Sequence, residues 1–367
     1  EKLEPIPQTQ LSDAVAFSTP ERAQQQINGL YSAIKTGAFY GGRYQVYQDI
    51  RGEEFINETA NGVTNFLTWN FTVTPTTNEV QNFWASAYAA INRVNVVIAG
   101  LETSPISDAL RKNYIAEAKV VRAIAYYSLL QLYARPYTDG NGSKPGVPLR
   151  LKAETSSGSN DLARSTVAEV YDQILKDLNE AETDLPANYS SAQLNTTRAH
   201  RNTAIALKTR VYLAMGRYAD VITEGNKLVP NAAPYKAPGG YDNGMNATIA
   251  SVFAAPYDSK ESILSMPYTS LDVPGTQNSP NSYYNPSPDG IGDYTLNVSG
   301  EGIAAHPDWL ATDARRNFHQ VVSGKTYLRK WPNNAGTNPD YLIIIRYAEV
   351  MLNLAEALAR QASDVDA

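Results

Sequence analysis

The sequence predicts a mostly α-helical protein: tetratricopeptide-like antiparallel helix pairs covered by long irregular loops with a few short strands. Three observations carry that expectation. Apolar residues recur at alternating spacings of three and four over long runs, the signature of helices with a buried face. Cap and stop residues stand at the ends of those runs. Between them lie long stretches rich in Gly, Pro, Asn and Ser that have no such period. We read residues 1–367 as one domain. The helical scaffold covers about 18–36, 79–228 and 340–361. The loop-rich segments cover about 37–78 and 230–339.

The elements follow in order. Thr19 can cap a first helix, and Pro20 suits its first position. Ile27, Leu30, Tyr31 and Ile34 give it one apolar face. A looser stretch runs from Gly37 to Asn78. The next helix carries Trp84, Tyr88, Ile91, Asn95, Ile98 and Leu101 on one stripe. A helix from about Ser107 to Tyr133 has two stripes, one through Tyr114, Ala118, Val121, Ala125 and Leu129, the other through Ile115, Arg122, Tyr126 and Tyr133. Two stripes mean packing on both sides. Pro136–Gly158 reads as a loop. Thr166 and Glu169 stand at the offset of a capping box ahead of Val170, Ile174, Leu178 and Ala181. A helix from about Arg198 to Met215 stops at Gly216, and a partner starts near Tyr218. Ala204, Leu207, Tyr212, Gly216 and Ala219 resemble half of a helix-pair repeat, so the array is read as degenerate repeats. A strand-like run stands at Ser262–Met266, and the last helix is expected over Tyr341–Arg360.

Composition excludes several functions. The 31 basic and 37 acidic residues give a net charge of −6, and no basic run offers a nucleic-acid footprint. With no cysteine, disulfides, thiolate metal sites and a cysteine nucleophile are ruled out for these residues. The three histidines, His200, His306 and His319, lack metal-ligand spacing. No nucleophile elbow and no phosphate-binding Gly-rich loop with Lys is present, and no cofactor is expected. No apolar run approaches the length of a membrane span. The start at Glu1 reads as a processed end.

The remaining enzymatic reading is a glycoside hydrolase, which needs two carboxylates facing across a cleft. Glu349 and Glu356 stand two turns apart on one helix, about 10 Å along its axis. They share a polar stripe with Arg346, Asn353 and Arg360, which favours pairing along the helix. Glu117, Arg122 and Arg210 are expected to pair between helices. Asn92 and Asn95 are expected to satisfy neighbouring backbone groups.

Several motifs resemble one family in sequence order. Trp84-x-x-x-Tyr88-x-x-Ile91-Asn92-x-x-Asn95 is similar to the first scaffold helix of SusD/RagB proteins. Glu117 to Ala123, followed by Tyr126-Tyr127, resembles their second signature, and Ala206 to Leu213 a third. Asp313-x-Arg315, Lys330-Trp331 and Ile345 to Ala357 resemble the later ones, and Leu3-Glu4-x-x-Pro7 resembles the segment after the lipidated cysteine. The resemblance implies a non-enzymatic, lipid-anchored lipoprotein on the extracellular face of a Bacteroidota outer membrane. Such a protein captures a nutrient, foremost an oligosaccharide, for a TonB-dependent SusC-like transporter. It also implies an anchor ahead of this chain. The family usually continues with a further helical segment after the match to Arg360, so the chain is expected to be either truncated or a shorter member. The alternative is a helical-repeat interaction module that binds no nutrient.

Sugars present flat C–H faces and many hydroxyls, so a site for them wants aromatic platforms beside polar groups on loops held by a rigid frame. Two segments have that chemistry, Gln48–Asn70 and Pro267–Thr295. Trp69 and one of Tyr283 and Tyr284 are expected to stack on sugar rings. Asp49, Arg51 and Asn65 are expected to bond hydroxyls.

Overall fold

A computed structural model describes residues 13–156, 158, 160–334 and 340–362. The motif at Leu3–Pro7 lies outside them. The helices are α1 (Asp13–Ala16), α2 (Pro20–Ile34), α3 (Arg43–Asp49), α4 (Phe66–Trp69), α5 (Asn78–Glu102), α6 (Asp108–Tyr133), α7 (Val167–Asp184), α8 (Ala192–Thr197), α9 (Arg201–Ala214), α10 (Tyr218–Leu228), α11 (Pro280–Tyr284) and α12 (Tyr347–Gln361). The strands are β1 (Phe55–Asn57), β2 (Ser262–Met266), β3 (Tyr294–Leu296), β4 (His319–Val322), β5 (Lys325–Leu328) and β6 (Leu342–Arg346). They form three two-stranded sheets, β1–β3, β2–β6 and β4–β5. The mostly helical class expected from the periodicities is therefore observed.

The chain divides into two compact units, one of residues 1–33, 87–244 and 345–367, the other of residues 34–86 and 245–344. The first is a helix array. Its α6 packs on α7, α7 on α9, α9 on α10, and α12 on both α9 and α10. The capping box predicted at Thr166 and Glu169 is present: the Glu169 amide donates to the Thr166 hydroxyl, and Glu169 accepts from the Thr166 amide at 2.7 Å. Ser107 caps α6 through the Leu110 amide. The Val121, Leu129, Ile174, Leu178 and Val350 side chains of these helices are almost fully buried, and each such side chain contributes about 1.5–3 kcal/mol.

The two-sided stripe of α6 holds charge as well as apolar groups. Arg122 donates to Asp177 at 2.8 and 2.7 Å and to the Asn95 side-chain oxygen at 2.8 Å. Glu117 accepts from Arg198 and from the Tyr31 hydroxyl. Lys208 is buried between Glu182 and Glu224. Burial lifts the Asp177 carboxyl above its ordinary pKa, while the Arg122 guanidinium pulls it down. These pairs are the inter-helix partners expected of Glu117 and Arg122.

The second unit is built from short elements. Antiparallel β1 and β3 pair in the register Phe55–Leu296, Ile56–Thr295, Asn57–Tyr294. α11 packs on α3 and β3, and β3 on β5. A cluster of Phe39, Tyr40, Tyr44 and Phe83 forms its aromatic core, with ring centroids 4.8–5.8 Å apart.

The last helix departs from expectation. It begins at Tyr347, because Leu342–Arg346 pairs as a strand with β2. The consecutive isoleucines Ile343 to Ile345 are β-branched and suit a pleated surface better than a helix.

Candidate functional site

All six residues expected to bind ligand lie in the second unit. Asp49, Tyr284 and Trp69 are linked through Phe55, and Asn65 sits beside Tyr283, while Arg51 stands apart from the others.

Asp49 ends α3 and is exposed. Its carboxylate accepts from the Tyr284 hydroxyl at 3.0 Å. Arg51, two residues on, is exposed and makes no hydrogen bond or ion pair with the described residues. Trp69 closes the single turn of α4 and is half-buried. Its indole N–H donates to the Phe55 carbonyl at 2.9 Å, and its ring stacks on Phe66 at 6.0 Å. Asn65 is buried, at φ 70°, a left-handed conformation that Asn tolerates better than most residues. It sits beside the Tyr283 hydroxyl, which donates to the Gln277 carbonyl at 2.7 Å.

Tyr283 and Tyr284 correct the expectation of loop-exposed platforms. Both are 0 % exposed. Pro280 stands at the start of α11, where its missing N–H costs nothing, and the helical turn sets the two rings into the core. Tyr284 is stacked between Phe55 at 4.7 Å and Trp331 at 6.0 Å, with interplanar angles of 20° and 22°. Its faces are thus occupied by protein rings. Burial, reinforced by the Asp49 charge, raises the Tyr284 phenol well above its ordinary pKa, so it stays a proton donor to Asp49. Tyr283 packs near Tyr294, centroids 6.3 Å apart. The pair, with buried Asn65, is a frame beneath the surface and offers a sugar no ring face in this conformation.

What remains at the surface is Asp49, Arg51 and part of Trp69. Sequence reasoning missed Phe71, which is 70 % exposed at φ 56°. An aromatic within the Asn/Thr-rich run Asn70–Thr77 was the available signal. Lys330 lies 4.8 Å over the Trp331 ring and contributes positive charge near Asp49.

The carboxylates considered for catalysis are committed elsewhere. Glu349 accepts from Arg210 at 2.7 Å through a paired contact, and Glu356 pairs with Arg360 at 3.0 Å along α12. No metal-binding group of acidic and histidine side chains occurs among the described residues. No described helix is long and apolar enough to cross a membrane.

Residues 3–213, more than half of the chain, match the SusD-like family described as "Starch-binding associating with outer membrane". The chain is 26% identical to SusD-like protein P2 of Formosa agariphila over 93% of its own length and 71% of that protein's. It is 26% identical to SusD-like protein P38 of the same organism, over 62% of this chain and 41% of that one. A SusD superfamily protein from Bacteroides fragilis superposes with a TM-score of 0.83 at 34% identity, covering 95% of this chain and 77% of its own. A laminarin-binding SusD-like protein shares the fold at a TM-score of 0.69 and 19% identity, over 94% and 81% of the two chains. The chain therefore belongs to the SusD-like family.

Proposed function

We propose that this protein captures an oligosaccharide at the outer face of the outer membrane and delivers it to a TonB-dependent SusC-like transporter. Membership of a family described as starch-binding and outer-membrane-associated is the observation that carries the reading. The laminarin ligand of one fold relative makes β-glucan oligosaccharides a first choice to test beside starch fragments. A lipid anchor, as the family resemblance implies, would hold the protein at the surface.

The proposed contact residues are Asp49, Arg51 and Trp69, extended by Phe71. Asp49 and Arg51 supply charged partners for hydroxyls, and such hydrogen bonds are about twice as strong as neutral ones. Asn65, Tyr283 and Tyr284 would act from beneath by fixing the backbone that carries them. The reading contains no catalytic step, since Glu349 and Glu356 are held in ion pairs on a helix of the other unit.

Isothermal titration with laminari- and malto-oligosaccharides tests capture. Saturable binding at micromolar to millimolar Kd, about 4–8 kcal/mol, is expected. No binding to any glycan, with copurification of a protein partner alone, would favour an interaction module. Release of reducing ends by the pure protein would overturn the non-enzymatic reading. Affinity purification of the full-length lipoprotein from native membranes should bring down the transporter.

A further inference from the structure

The helix-array unit carries a backbone edge whose main-chain groups are unbonded among the described residues. Residues 145–147 pair with 165–167: the Gly146 amide donates to the Ser165 carbonyl at 2.7 Å, and the Ser165 amide to Val147 at 3.2 Å. Beyond Val147 this ladder stops and the two main chains part, with the Arg150 guanidinium donating across to the Asn160 carbonyl at 2.6 Å. A hollow of about 470 Å³ opens, bounded by residues 149–156 of one arm and 160–162 of the other.

The first arm is held to the helices by every second residue. The Tyr88 hydroxyl donates to the Pro148 carbonyl at 2.8 Å. The Tyr126 hydroxyl accepts from the Arg150 amide at 2.7 Å and donates to the Arg150 carbonyl at 2.8 Å. Asn95 donates to the carbonyls of Arg150 and Lys152, at 3.0 and 3.2 Å. Asn92 donates to the Glu154 carbonyl at 3.0 Å and accepts its amide at 2.8 Å. Four side chains of α5 and α6 thus imitate a neighbouring strand. In extended chain the N–H and C=O of alternate residues point to opposite edges. The main-chain groups of Leu149 and Leu151, and of Ala153 just past a bend at Lys152, have no hydrogen-bond partner among the described residues.

We propose that this edge takes up an extended peptide segment of a partner protein by strand addition. The recognition chemistry on the page is that of a polypeptide. Donors and acceptors alternate at the two-residue repeat of a strand, which a glycan's hydroxyls do not share. Leu149, Leu151 and Leu162 line the hollow, with Leu151 and Leu162 exposed, and suit apolar side chains at alternate positions of the incoming strand. A bare backbone edge is a ready template for pairing, and no proline stands at 149–153 to block it. The glycan residues proposed above belong to the other unit, so the two readings stand or fall separately.

The test uses fluorescein-labelled eight-residue peptides that alternate Val with Thr or Ile with Lys, added to the purified chain. Saturable binding is expected, with at least tenfold slower hydrogen exchange at the Leu151 and Ala153 amides. Affinity should fall at least tenfold when alternate peptide residues are N-methylated along one edge. The variant Leu151→Pro should weaken binding by the same factor. It removes an N–H that nothing else in the described structure uses, and its ring suits extended backbone, so fold and oligosaccharide binding should persist. The proposal is overturned if no peptide of the set binds, or if N-methylation leaves affinity unchanged. It is overturned also if laminari-oligosaccharide alone protects the two amides, or if the edge proves occupied by a second copy in a dimer that Leu151→Pro dissociates.

Discussion

The Tyr284 hydroxyl donates to the Asp49 carboxylate at 3.0 Å, joining a buried ring of α11 to an exposed acid at the end of α3. The contact makes one residue the support of the other. It also separates two experiments that the sequence would have merged, one on stability and one on affinity.

Tyr284→Ala removes a fully buried ring from between Phe55 and Trp331 and should cost about 3–5 kcal/mol. Tyr284→Phe keeps the stack and loses only the bond to an exposed acid, so about 0.5–1.5 kcal/mol is expected. Urea denaturation checks both. If Tyr284→Ala folds with unchanged stability yet abolishes glycan binding, the buried assignment is wrong for the working protein.

Trp69→Ala and Phe71→Ala probe the surface. Each should weaken oligosaccharide binding by about 1–3 kcal/mol if its ring is a stacking platform. Phe71→Ala should leave the denaturation midpoint nearly unchanged, because the side chain is mostly exposed. Trp69→Ala should also lower stability, since its indole bonds to Phe55. Equal affinity for parent and both variants in calorimetry would move the site elsewhere.

Arg122 and Asp177 form a buried pair that also holds Asn95. Arg122→Ala should destabilise by about 3–5 kcal/mol, because it leaves a buried carboxylate alone. Replacing both, as Arg122→Met with Asp177→Leu, should cost less than the single change. Denaturant midpoints of the three variants decide this.

His200 gives the fold an acid sensitivity. It is fully buried, edge-on to Tyr241 at 5.9 Å, and burial lowers its pKa to about 4, with Arg201 acting in the same direction. The unfolded chain binds this proton near pH 6.5, the folded one only near pH 4. The unfolded state therefore holds more protons between those values, and stability falls as pH drops through that window. A contribution on the order of 3 kcal/mol, present above the window, is lost across it. The measurement is the stability difference between parent and His200→Leu at pH 4 and pH 7. It should shift toward the variant at low pH, and a pH-independent difference would sink the assignment.

Much of the fold was legible in the chain. Stripes such as Ile27–Leu30–Ile34 and Val170–Ile174–Leu178 mark helix faces, because a 3.6-residue period can be buried in only one way. The Thr166–Glu169 box marked the start of α7, because both of its bonds are local. Asn92 and Asn95 were readable as backbone satisfiers, since a polar side chain on an apolar stripe must find a partner. Which backbone they satisfy, the 150–154 arm, was not readable, as those contacts cross 55 to 62 residues.

The sequence by itself determined the helix array, the net negative charge, and the family through motifs kept in order. The tertiary structure alone decided the orientation of the aromatic residues. Tyr283 and Tyr284 stand in a Pro/Asn/Ser run that looks like exposed loop, yet Phe55, from more than two hundred residues earlier, stacks on Tyr284 and closes it off. Ile343 to Ile345 became a strand rather than a helix turn because β2 lay ready to pair with it. In both cases the deciding energy is a long-range contact, ring on ring or strand on strand. Such contacts leave no periodic trace in the local sequence.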